Sequence, residues 1–388
     1  MRVCMISASF LPTIGGLQFQ VKYLIEALAE RGIEVFLLSH DDGEKFLNKN
    51  AYGFPKFIKL KHRNLVLGCI ELCKLIKRIS PHVIHVHSAE INAFQLALLK
   101  SFKLISQPFI ITSHGVDIMT YKEIRYGLRL SPIYACKVKF TLHKCAKHVI
   151  VGKSMKKFAL EAGSKPDRII EINNGVPLII NKEIPEEEMN SILIKYKISP
   201  SGRVLLSLSG MRPLKGIEYL VKSMPKILKQ FPDTELVLAC ESDRYVKDIK
   251  NIVRSLNLEQ NVKFVGFITA EEEKIALIRR CDIFCKPSLL EACSVAILEV
   301  MREGKAVIAS IPGGIDIITH GRNGLLTRSK DPDDFADAVI KVLKNQKLKE
   351  KIENYAKKDI QNFDIRKTAK QYISLYEEIC KSNGIQKI

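Results

Sequence analysis

The chain has 388 residues, which is too long for one ordinary hydrophobic core and predicts two domains of typical size. Hydrophobic residues make up 46% of it, as in a packed globular protein. The formal net charge of +19 at pH 7 favours anionic partners, such as phosphorylated ligands, anionic lipid or nucleic acid, over cationic ones.

The ten cysteines do not have the spacing of a metal site. Cys69 with Cys73 and Cys281 with Cys285 lack the C-x2-C pattern of zinc ligands, and Cys4 lies in an apolar strand pattern, where a thiol acts as a small hydrophobic group. The chain opens directly into a strand, and no apolar run approaches the roughly 18 to 20 residues that cross a bilayer. We therefore expect a cytoplasmic protein, with any membrane contact peripheral at the inner face.

Short apolar strands alternate with helical patterns in the first half, which is typical of a parallel sheet covered on both faces. A helix pattern over about 17–31 ends at Gly32. The order strand, glycine loop, helix, strand predicts a ligand crevice outside the carboxyl ends of the strands. The predicted strands are 3–7, 34–39, 83–86, 109–112 and 148–151.

Two features of this half are candidates for ligand contacts. Gly15 and Gly16 follow the first strand, and paired glycines let the backbone approach a ligand closely, although a tight turn from strand to helix is an equally good explanation. His114 ends a predicted strand beside Gly115. A single histidine, taken alone, is more often packed or solvated than catalytic.

A polar segment, 181–188, interrupts the pattern and contains Pro185, which indicates a linker. A second alternation of strands and helices follows, and a last helix covers about 365–381. The sequence thus predicts two doubly wound domains facing each other across a cleft, with boundaries at 1–185, 186–364 and 365–388. The predicted strands of the second half are 204–208, 235–238, 262–265, 283–285 and 306–309.

Two carboxylates, Glu291 and Glu299, lie eight residues apart after one of these strands. On one continuous helix they would point roughly 80° apart, so we predict that Glu291 ends a loop and that a helix begins near Ser294. The free N–H groups of that helix offer an anion site, and flanking carboxylates can accept from hydroxyls, as a diphosphate with a sugar on each side requires. On spacing alone, two unconnected glutamates are the simpler interpretation.

Charged residues near two other helix starts suggest different roles. Lys215 follows a strand and precedes Gly216, where a cation could neutralise a diphosphate. Asp331-Pro332-Asp333 has the spacing of a metal-binding DxD motif, but it opens an apolar helical run. An aspartate cap followed by proline explains that run, so no metal site is expected there.

A collinear set of segments resembles the motifs of the retaining family-4 glycosyltransferases (glycosyl transferases group 1), from about residue 2 to about 345. The segment 10–16 is similar to the family's Pro-x-x-Gly-Gly loop, and 113–117 is similar to its His-Gly-x-Asp segment. Asn-Gly-Val at 174–176, the donor-phosphate motif at 212–216 and the E-x7-E signature at 285–301 follow in order. The segments 313–315 and 323–325 resemble the loop and strand after that signature.

The resemblance implies an α/β protein of GT-B architecture: two Rossmann-like doubly wound parallel-sheet domains face each other across a cleft, and the C-terminal helix crosses back onto the first domain. It implies an acceptor side in the N-terminal domain and a nucleotide-sugar donor side in the C-terminal domain. The implied activity is transfer of a hexose from a nucleotide diphosphate sugar with retention, without a metal or other cofactor.

The resemblance also assigns roles to residues. His114, Glu291 and Lys215 are implied to be catalytic, and Glu299 is implied to bind the ribose. The implied diphosphate contacts are Gly15, Gly16, Arg212, Lys215, Ser294 and Val295. The implied donor-sugar contacts are His114, Glu291, Ala292 and Cys293.

The sequence departs from the family pattern at three places, of which the last two leave the donor open. Gly210 stands where many members carry a phosphate-binding arginine, so Arg212 is either its substitute or a surface residue. Ser294 stands where glycine is usual, and the loop at 239–242 lacks the family's glycine.

Basic residues interleaved with apolar ones cluster between 54 and 78 and between 121 and 157. Such a mixture suits an anionic membrane surface and hence a glycan or lipid-linked acceptor, although a solvated charged face is the alternative. Two rival functions remain. One is a nucleotide-sugar epimerase of the same fold; the other is a nucleic-acid-binding protein, for which the sequence offers no zinc finger, RNP strand or helix-turn-helix. Nucleic acid is therefore not an expected partner.

Overall fold

The structure is a computed structural model that describes residues 1–13, 15–47, 55–179, 184–239 and 244–385. It divides into two compact units, one containing Met1–Pro177 and Phe363–Ile388 and the other containing Leu178–Asn362. The predicted boundaries after 185 and 364 lie eight and two residues beyond these divisions. Ile14 of the glycine loop, 181–183 of the linker and 240–242 of the loop without glycine lie outside the described residues.

The first unit is built on a parallel sheet whose described strands are β1 (Arg2–Ser7), β2 (Glu34–Ser39), β3 (Lys56–Lys59), β4 (Val83–His87), β5 (Phe109–Ser113), β6 (Lys147–Ile150) and β7 (Ile169–Glu171). Their order across the sheet is β3-β2-β1-β4-β5-β6-β7. The direction of strand addition reverses between β1 and β4. In open α/β sheets, ligands bind outside the carboxyl ends of the strands at such a switch point.

Helices cover both faces of this sheet. They are α1 (Gly16–Ala29), α2 (Leu65–Ile79), α3 (Ile91–Ser101), α4 (Pro132–Lys144) and α5 (Lys156–Glu161). Because parallel crossovers are right-handed, α1 lies on one face and α2, α3 and α4 lie on the other. There α3 packs against both α2 and α4.

The second unit has the same plan. Its described strands are β8 (Arg203–Leu208), β9 (Thr234–Ala239), β10 (Val262–Gly266), β11 (Ile283–Lys286), β12 (Ala306–Ser310) and β13 (Leu325–Thr327), in the order β10-β9-β8-β11-β12-β13. Its helices are α6 (Glu186–Lys195), α7 (Ile217–Leu228), α8 (Arg244–Ser255), α9 (Glu271–Arg280), α10 (Val295–Arg302), α11 (Ile311–Gly314), α12 (Pro332–Lys344) and α13 (Gln346–Asp359). The switch point here lies between β8 and β11, which pair directly.

The last helix, α14 (Ile365–Ser382), belongs to the first unit and packs against α1. Two tyrosines attach it to the sheet. The Tyr376 hydroxyl lies 2.7 Å from His85 Nδ1 on β4, and the Tyr372 hydroxyl lies 3.0 Å from Thr112 Oγ1 on β5. Both tyrosines are buried, so the C-terminal segment completes the core of the N-terminal unit.

The predicted α/β fold class is confirmed, and each predicted strand is present within two residues of its predicted ends. The sequence did not reveal β3 and β7. These are short edge strands, and β3 carries exposed lysines at both ends, so neither shows an apolar run. In the described ranges, no helix is long and apolar enough to span a membrane.

Candidate functional site

Glu291 lies in the loop between β11 and α10, as predicted, where two lysines hold its carboxylate. Lys215 Nζ donates to Glu291 Oε2 at 2.8 Å, and Lys286 Nζ lies 3.2 Å from the same oxygen. The Ser288 hydroxyl donates to that oxygen at 3.3 Å. We call Lys215, Lys286 and Glu291 the lysine–glutamate cluster. Its partners show that Glu291 is not an unconnected surface residue.

The ionisable groups of this cluster differ in pKa and in exposure. Burial alone would raise the pKa of Glu291, but Lys215 and Lys286 lower it to about 2. Burial lowers the pKa of Lys286 to about 8 despite the attraction of Glu291. The Lys286 side chain is only 5% exposed and that of Lys215 is 21% exposed, so Lys215 is the cation that a ligand can reach. Two lysines against one carboxylate leave an excess of positive charge that suits a diphosphate.

A glycine brings the two halves of the cluster together. Gly216 has φ of 63°, and a Cβ at this position would lie 2.1 Å from the carbonyl oxygen of Pro287. Only glycine therefore lets the turn after β8 approach the loop after β11 so closely. The backbone N–H of Leu289 also donates to the Leu214 carbonyl at 2.8 Å. The cluster thus forms at the carboxyl ends of β8 and β11, on either side of the switch point.

The start of α10 lies beside Glu291, as predicted. Ser294 is the N-cap residue, Val295 is the first helical residue, and the Ser294 hydroxyl makes no capping hydrogen bond. The first N–H groups of α10 are therefore not satisfied by that side chain and offer an anion site. Ala292 is half-buried and Cys293 is buried in the same loop.

Glu299 has a partner that the sequence did not suggest. It is buried on α10, and its Oε1 accepts from Lys274 Nζ of α9 at 2.6 Å. If Glu299 binds a ribose, it must therefore share its carboxylate with a lysine.

Arg212 immediately precedes the turn that carries Lys215, and its side chain is exposed. An exposed position agrees with the interpretation of Arg212 as a surface residue, one of the two alternatives that the sequence left open. Its role in phosphate binding stays a prediction.

The paired glycines lie at the carboxyl end of β1, beside the switch point of the first sheet. Gly15 is the N-cap residue of α1 in an extended conformation that any residue can adopt. Among the described residues, a Cβ at Gly15 would crowd only the movable side-chain end of Gln18. Packing therefore does not require glycine at 15, and the contact of Gly15 and Gly16 with a ligand stays a prediction.

His114 follows β5 and contacts His87 at the end of β4. His114 Nε2 lies 2.9 Å from His87 Nδ1. Burial lowers the pKa of His114 to about 4, so the ring is neutral at pH 7. A neutral imidazole fits the predicted hydrogen-bonding role and gives no support to a charged one.

Asp117, the acidic residue of the same motif, organises the loop that carries His114. It is buried, and it accepts from the Ser113 hydroxyl at 2.6 Å and from the backbone N–H groups of Ala89 at 2.8 Å and Gly115 at 3.2 Å. These bonds tie the loops after β4 and β5 together. Asp117 therefore acts on the site through the position of the backbone.

Three residues of these clusters were not predicted from the sequence: Lys286, Lys274 and His87. A lysine in the otherwise apolar strand β11 was one available signal, and the alternation of His85 and His87 on β4 was another. Within the described part of the chain, no three or more His, Cys, Asp or Glu side chains are grouped so as to hold a metal ion. The capping interpretation of Asp331 is confirmed, because its carboxylate accepts from the Asp334 N–H at 2.9 Å.

Comparison with known families agrees with this arrangement. A family model described as Glycosyltransferase Family 4 matches residues 14–178, and one described as Glycosyl transferases group 1 matches residues 190–359. The fold is that of the GT-B glycosyltransferases. The chain belongs to the family-4, group 1 glycosyltransferases.

The similar proteins cover nearly the whole chain. An uncharacterized glycosyltransferase of Methanocaldococcus jannaschii is 27% identical and covers 97% of this chain and 98% of its own length. The N-acetyl-alpha-D-glucosaminyl L-malate synthase of Bacillus anthracis is 24% identical, with 97% coverage of both chains. The crystal structure of Anabaena HepE in complex with UDP and glucose has a TM-score of 0.81 at 19% identity, covers 97% of this chain and 100% of its own, and shows the likeness of fold.

Proposed function

We propose that this glycosyltransferase moves a hexose from a nucleotide diphosphate sugar to an acceptor hydroxyl, with retention at the anomeric carbon and without a metal ion. The observation that carries the proposal is the lysine–glutamate cluster beside the free N-terminus of α10. It combines an accessible cation, Lys215, with helix N–H groups at a topological switch point. Such preorganised groups stabilise the negative charge that develops on a departing diphosphate.

The second lysine makes an exchange of partners feasible. When Lys215 turns to the diphosphate, Lys286 remains on Glu291, so the buried carboxylate keeps a counter-ion. Glu291 then accepts from hydroxyls of the sugar, and Glu299 accepts from the ribose. In the front-face mechanism proposed for the family, the leaving phosphate helps to deprotonate the acceptor hydroxyl. No side chain is therefore assigned as a dedicated base.

One of the similar proteins supports a nucleotide-sugar donor: Anabaena HepE was crystallised with UDP and glucose and also with UDP-glucose. The name of the Bacillus anthracis relative, N-acetyl-alpha-D-glucosaminyl L-malate synthase, contains a sugar and a small hydroxy acid but no nucleotide. Neither name sets the base or the sugar for this chain. We therefore propose the class of donor and leave its identity to a screen.

Thermal stability measured with UDP, GDP and ADP tests the donor. We expect one diphosphate to raise the melting temperature in the presence of EDTA, because a ligand at a hundred times its Kd stabilises the folded state by about 2.7 kcal/mol. The matching nucleotide sugars are then assayed, and NMR of the product reads the anomeric configuration. A rearranged nucleotide sugar formed without acceptor would identify the epimerase instead. Stabilisation by oligonucleotides alone would identify a nucleic-acid-binding protein.

The acceptor is proposed to lie at an anionic membrane surface. Val66 and Ile70 are exposed on α2, and Lys74 and Lys77 continue the same helical face as exposed cations. Val66 is 67% exposed, and Ile133 at the start of α4 is 68% exposed. Apolar side chains beside lysines are the pattern of a helix that lies in the interface of an anionic bilayer.

Not every basic residue of this half is equally available. Lys137 lies over the rings of Phe94 and Tyr134, and Lys147 pairs with Glu378 of α14 at 3.3 Å. The exposed face of α2, defined by Val66, Ile70, Lys74 and Lys77, is therefore the better target for mutation.

Sedimentation with anionic vesicles at low salt tests the membrane proposal. A variant carrying Val66→Ser, Ile70→Ser, Lys74→Gln and Lys77→Gln is expected to lose most binding while donor hydrolysis stays unchanged. The control removes the exposed Lys344, Lys347 and Lys351 of the second unit, and its binding should change little. If the unmodified protein does not sediment with anionic vesicles, a soluble acceptor such as a small hydroxy acid becomes the better proposal.

A further inference from the structure

Three histidines of the first unit form a stack at the carboxyl ends of β4 and β5. His85 and His87 alternate along β4, so both project from the same face of the sheet. Their ring centroids are 4.3 Å apart, and those of His87 and His114 are 5.2 Å apart. We call these three residues the histidine stack. Its outer member, His114, is half-buried, whereas His85 and His87 are buried.

Each ring of the stack carries one proton. Burial lowers the pKa of His85 to about 3 and that of His114 to about 4, and it holds the pKa of His87 well below its ordinary value. A neutral imidazole has one N–H donor and one lone pair. The two nitrogens of His85 are both used, by the Tyr376 hydroxyl and by Thr112 Oγ1, each at 2.7 Å.

His87 has one nitrogen left over. Its Nδ1 shares a hydrogen bond with His114 Nε2, and its Nε2 is buried without a hydrogen-bond partner among the described residues. The position of one proton decides what is left unpaired. If His114 Nε2–H donates, His87 must carry its own proton on Nε2, as a buried N–H without an acceptor. If His87 Nδ1–H donates, only a lone pair is left unpaired.

The second arrangement agrees with the way in which folded proteins satisfy buried polar groups. In the buried backbone of folded proteins, N–H groups without a partner are rarer than under-satisfied carbonyls, and we apply the same preference to the ring nitrogens of His87. The hydrogen bond therefore runs from His87 Nδ1–H to His114 Nε2. Because His114 is neutral and its Nε2 accepts, its own proton must be on Nδ1. Which nitrogen of a histidine is protonated is set by the bond that the other nitrogen makes.

We propose that His87 is a positioning residue that fixes the tautomer of His114, so that His114 offers a protonated Nδ1 as a hydrogen-bond donor to an oxygen atom of the bound substrate. An N–H donor suits a sugar hydroxyl or a phosphate oxygen. The tautomer itself follows from the buried contacts alone. Its effect on transfer rests on the proposed function, so the two need separate measurements.

The first measurement is NMR of the full chain labelled with nitrogen-15 in histidine only. The chain has nine histidines, and His114→Gln identifies the signal of His114 by its loss. Between about pH 6 and 8, we expect His114 to show a protonated Nδ1 and an unprotonated Nε2. A protonated Nε2 on His114 would overturn the proposal, whatever the activity of the protein.

The second measurement compares two variants of His87. The amide nitrogen of asparagine can occupy the place of imidazole Nδ1 and donate to His114, so His87→Asn should keep the tautomer. His87→Leu removes the donor and should let His114 move its proton to Nε2. With a donor identified by the screen above, kcat of His87→Leu should fall about tenfold to a hundredfold with little change in KM, and His87→Asn should recover most of it.

The two measurements test separate parts of the proposal. Equal kcat values for His87→Leu and the unmodified protein would overturn the role in transfer, even with the expected tautomer. If no nucleotide sugar is a substrate, the proposed function fails while NMR still decides the tautomer. Should His87→Leu not fold, the spectra of the unmodified protein and of His87→Asn decide it.

Discussion

The two units place their candidate site residues at equivalent points of similar sheets, yet they stabilise buried polar groups in opposite ways. In the first unit, the histidine stack is neutral and every ring is held by hydrogen bonds or stacking. In the second unit, the lysine–glutamate cluster is charged and held by ion pairs. The same topology thus supports a hydrogen-bonding surface in one unit and an electrostatic one in the other.

This difference matches the chemistry that each unit is proposed to serve. A diphosphate is highly charged, and cations with helix N–H groups bind it strongly in a partly desolvated site. Hydroxyl groups are neutral, so a buried charge that faces them needs an ionic partner of its own, as Glu291 has in Lys286 and Glu299 has in Lys274, whereas a neutral imidazole needs none. The contrast also predicts that acid lowers the stability of the two units in different pH ranges.

The largest expected effect is loss of stability of the first unit in mild acid. Burial lowers the pKa of His85, and of His148 on β6 of the same sheet, to about 3, and it lowers that of His114 to about 4. The unfolded chain takes up these protons near pH 6.5. Folded-state values below the unfolded ones mean that the free energy of unfolding falls as pH decreases below about 6.5. The loss can reach about 1.4 kcal/mol per pH unit for each ring.

The second unit should lose stability only at a lower pH than the first. The pKa of Glu291 is about 2, below its unfolded value, so its stabilising effect is lost only as pH falls from about 4.5 towards 2. Burial raises the pKa of Asp117, so its protonation in the folded state adds stability as pH falls and opposes part of the effect of the histidines in the first unit. Hydrogen exchange at about pH 5, corrected for intrinsic rates, should show peptides of β4 and β5 losing protection before those of β8 and β11. Loss of protection in the second unit first would contradict the comparison.

The next largest effect is expected for Lys215→Ala. This variant removes the accessible cation of the lysine–glutamate cluster and should reduce kcat by at least about a hundredfold, the scale of one strong electrostatic donor. Its melting temperature should change little, because Lys286 still pairs with Glu291. Lys226→Ala is the matched control, since Lys226 pairs with Asp337 on the surface of the same unit. Near-normal turnover of a folded Lys215→Ala protein would contradict the assignment of Lys215 to the diphosphate.

Most strands and helices of the two units could be predicted from the sequence, but the ion pairs that distinguish the units could not. Strands and helices were predictable because buried strands have continuous apolar runs and helices repeat at 3.6 residues. The start of α10 after the Glu291 loop was predictable from the same reasoning. The edge strand β3 was not, since its exposed lysines hide its period.

Partnerships between distant segments were also beyond the sequence. Lys215 and Glu291 are 76 positions apart, and Lys274 and Glu299 are 25 positions apart on different helices. Periodicity describes one element at a time, so it does not report which side chains meet at a switch point. The family resemblance supplied Lys215 and Glu291 as site residues. The pairing of each with a buried partner, such as Lys286, required the fold.

An effect of intermediate size is expected on nucleotide binding, and it should distinguish the roles of Glu291 and Glu299. Glu299→Ala is expected to weaken binding of the bare nucleoside diphosphate about tenfold, because the carboxylate on α10 is assigned to the ribose. Glu291→Ala should leave that binding unchanged or slightly tighter, since Lys215 is then free, while use of the complete sugar nucleotide is lost. Calorimetry with the diphosphate and with the full donor measures the split.

A control is needed because Glu299→Ala also leaves Lys274 without its partner. Glu299→Gln keeps the shape of the side chain and a hydrogen-bonding oxygen beside Lys274. It should bind the diphosphate better than Glu299→Ala does. Equal effects of Glu291→Ala and Glu299→Ala on the bare diphosphate would contradict the assignment of sugar and ribose.

The smallest effect concerns Lys286 and appears only in alkali. Burial lowers the pKa of Lys286 to about 8, so the folded protein releases this proton before the unfolded chain does, near 10.4. The unfolded state then binds more protons, and the free energy of unfolding should rise with pH above about 8 relative to Lys286→Met, by at most about 1.4 kcal/mol per pH unit. Loss of Lys286 also changes the titration of Glu291, but that carboxyl titrates in acid and does not disturb the alkaline comparison. Urea unfolding of both proteins at several pH values between about 7.5 and 9.5 measures the difference, and parallel pH profiles would show that Lys286 is not shifted by burial.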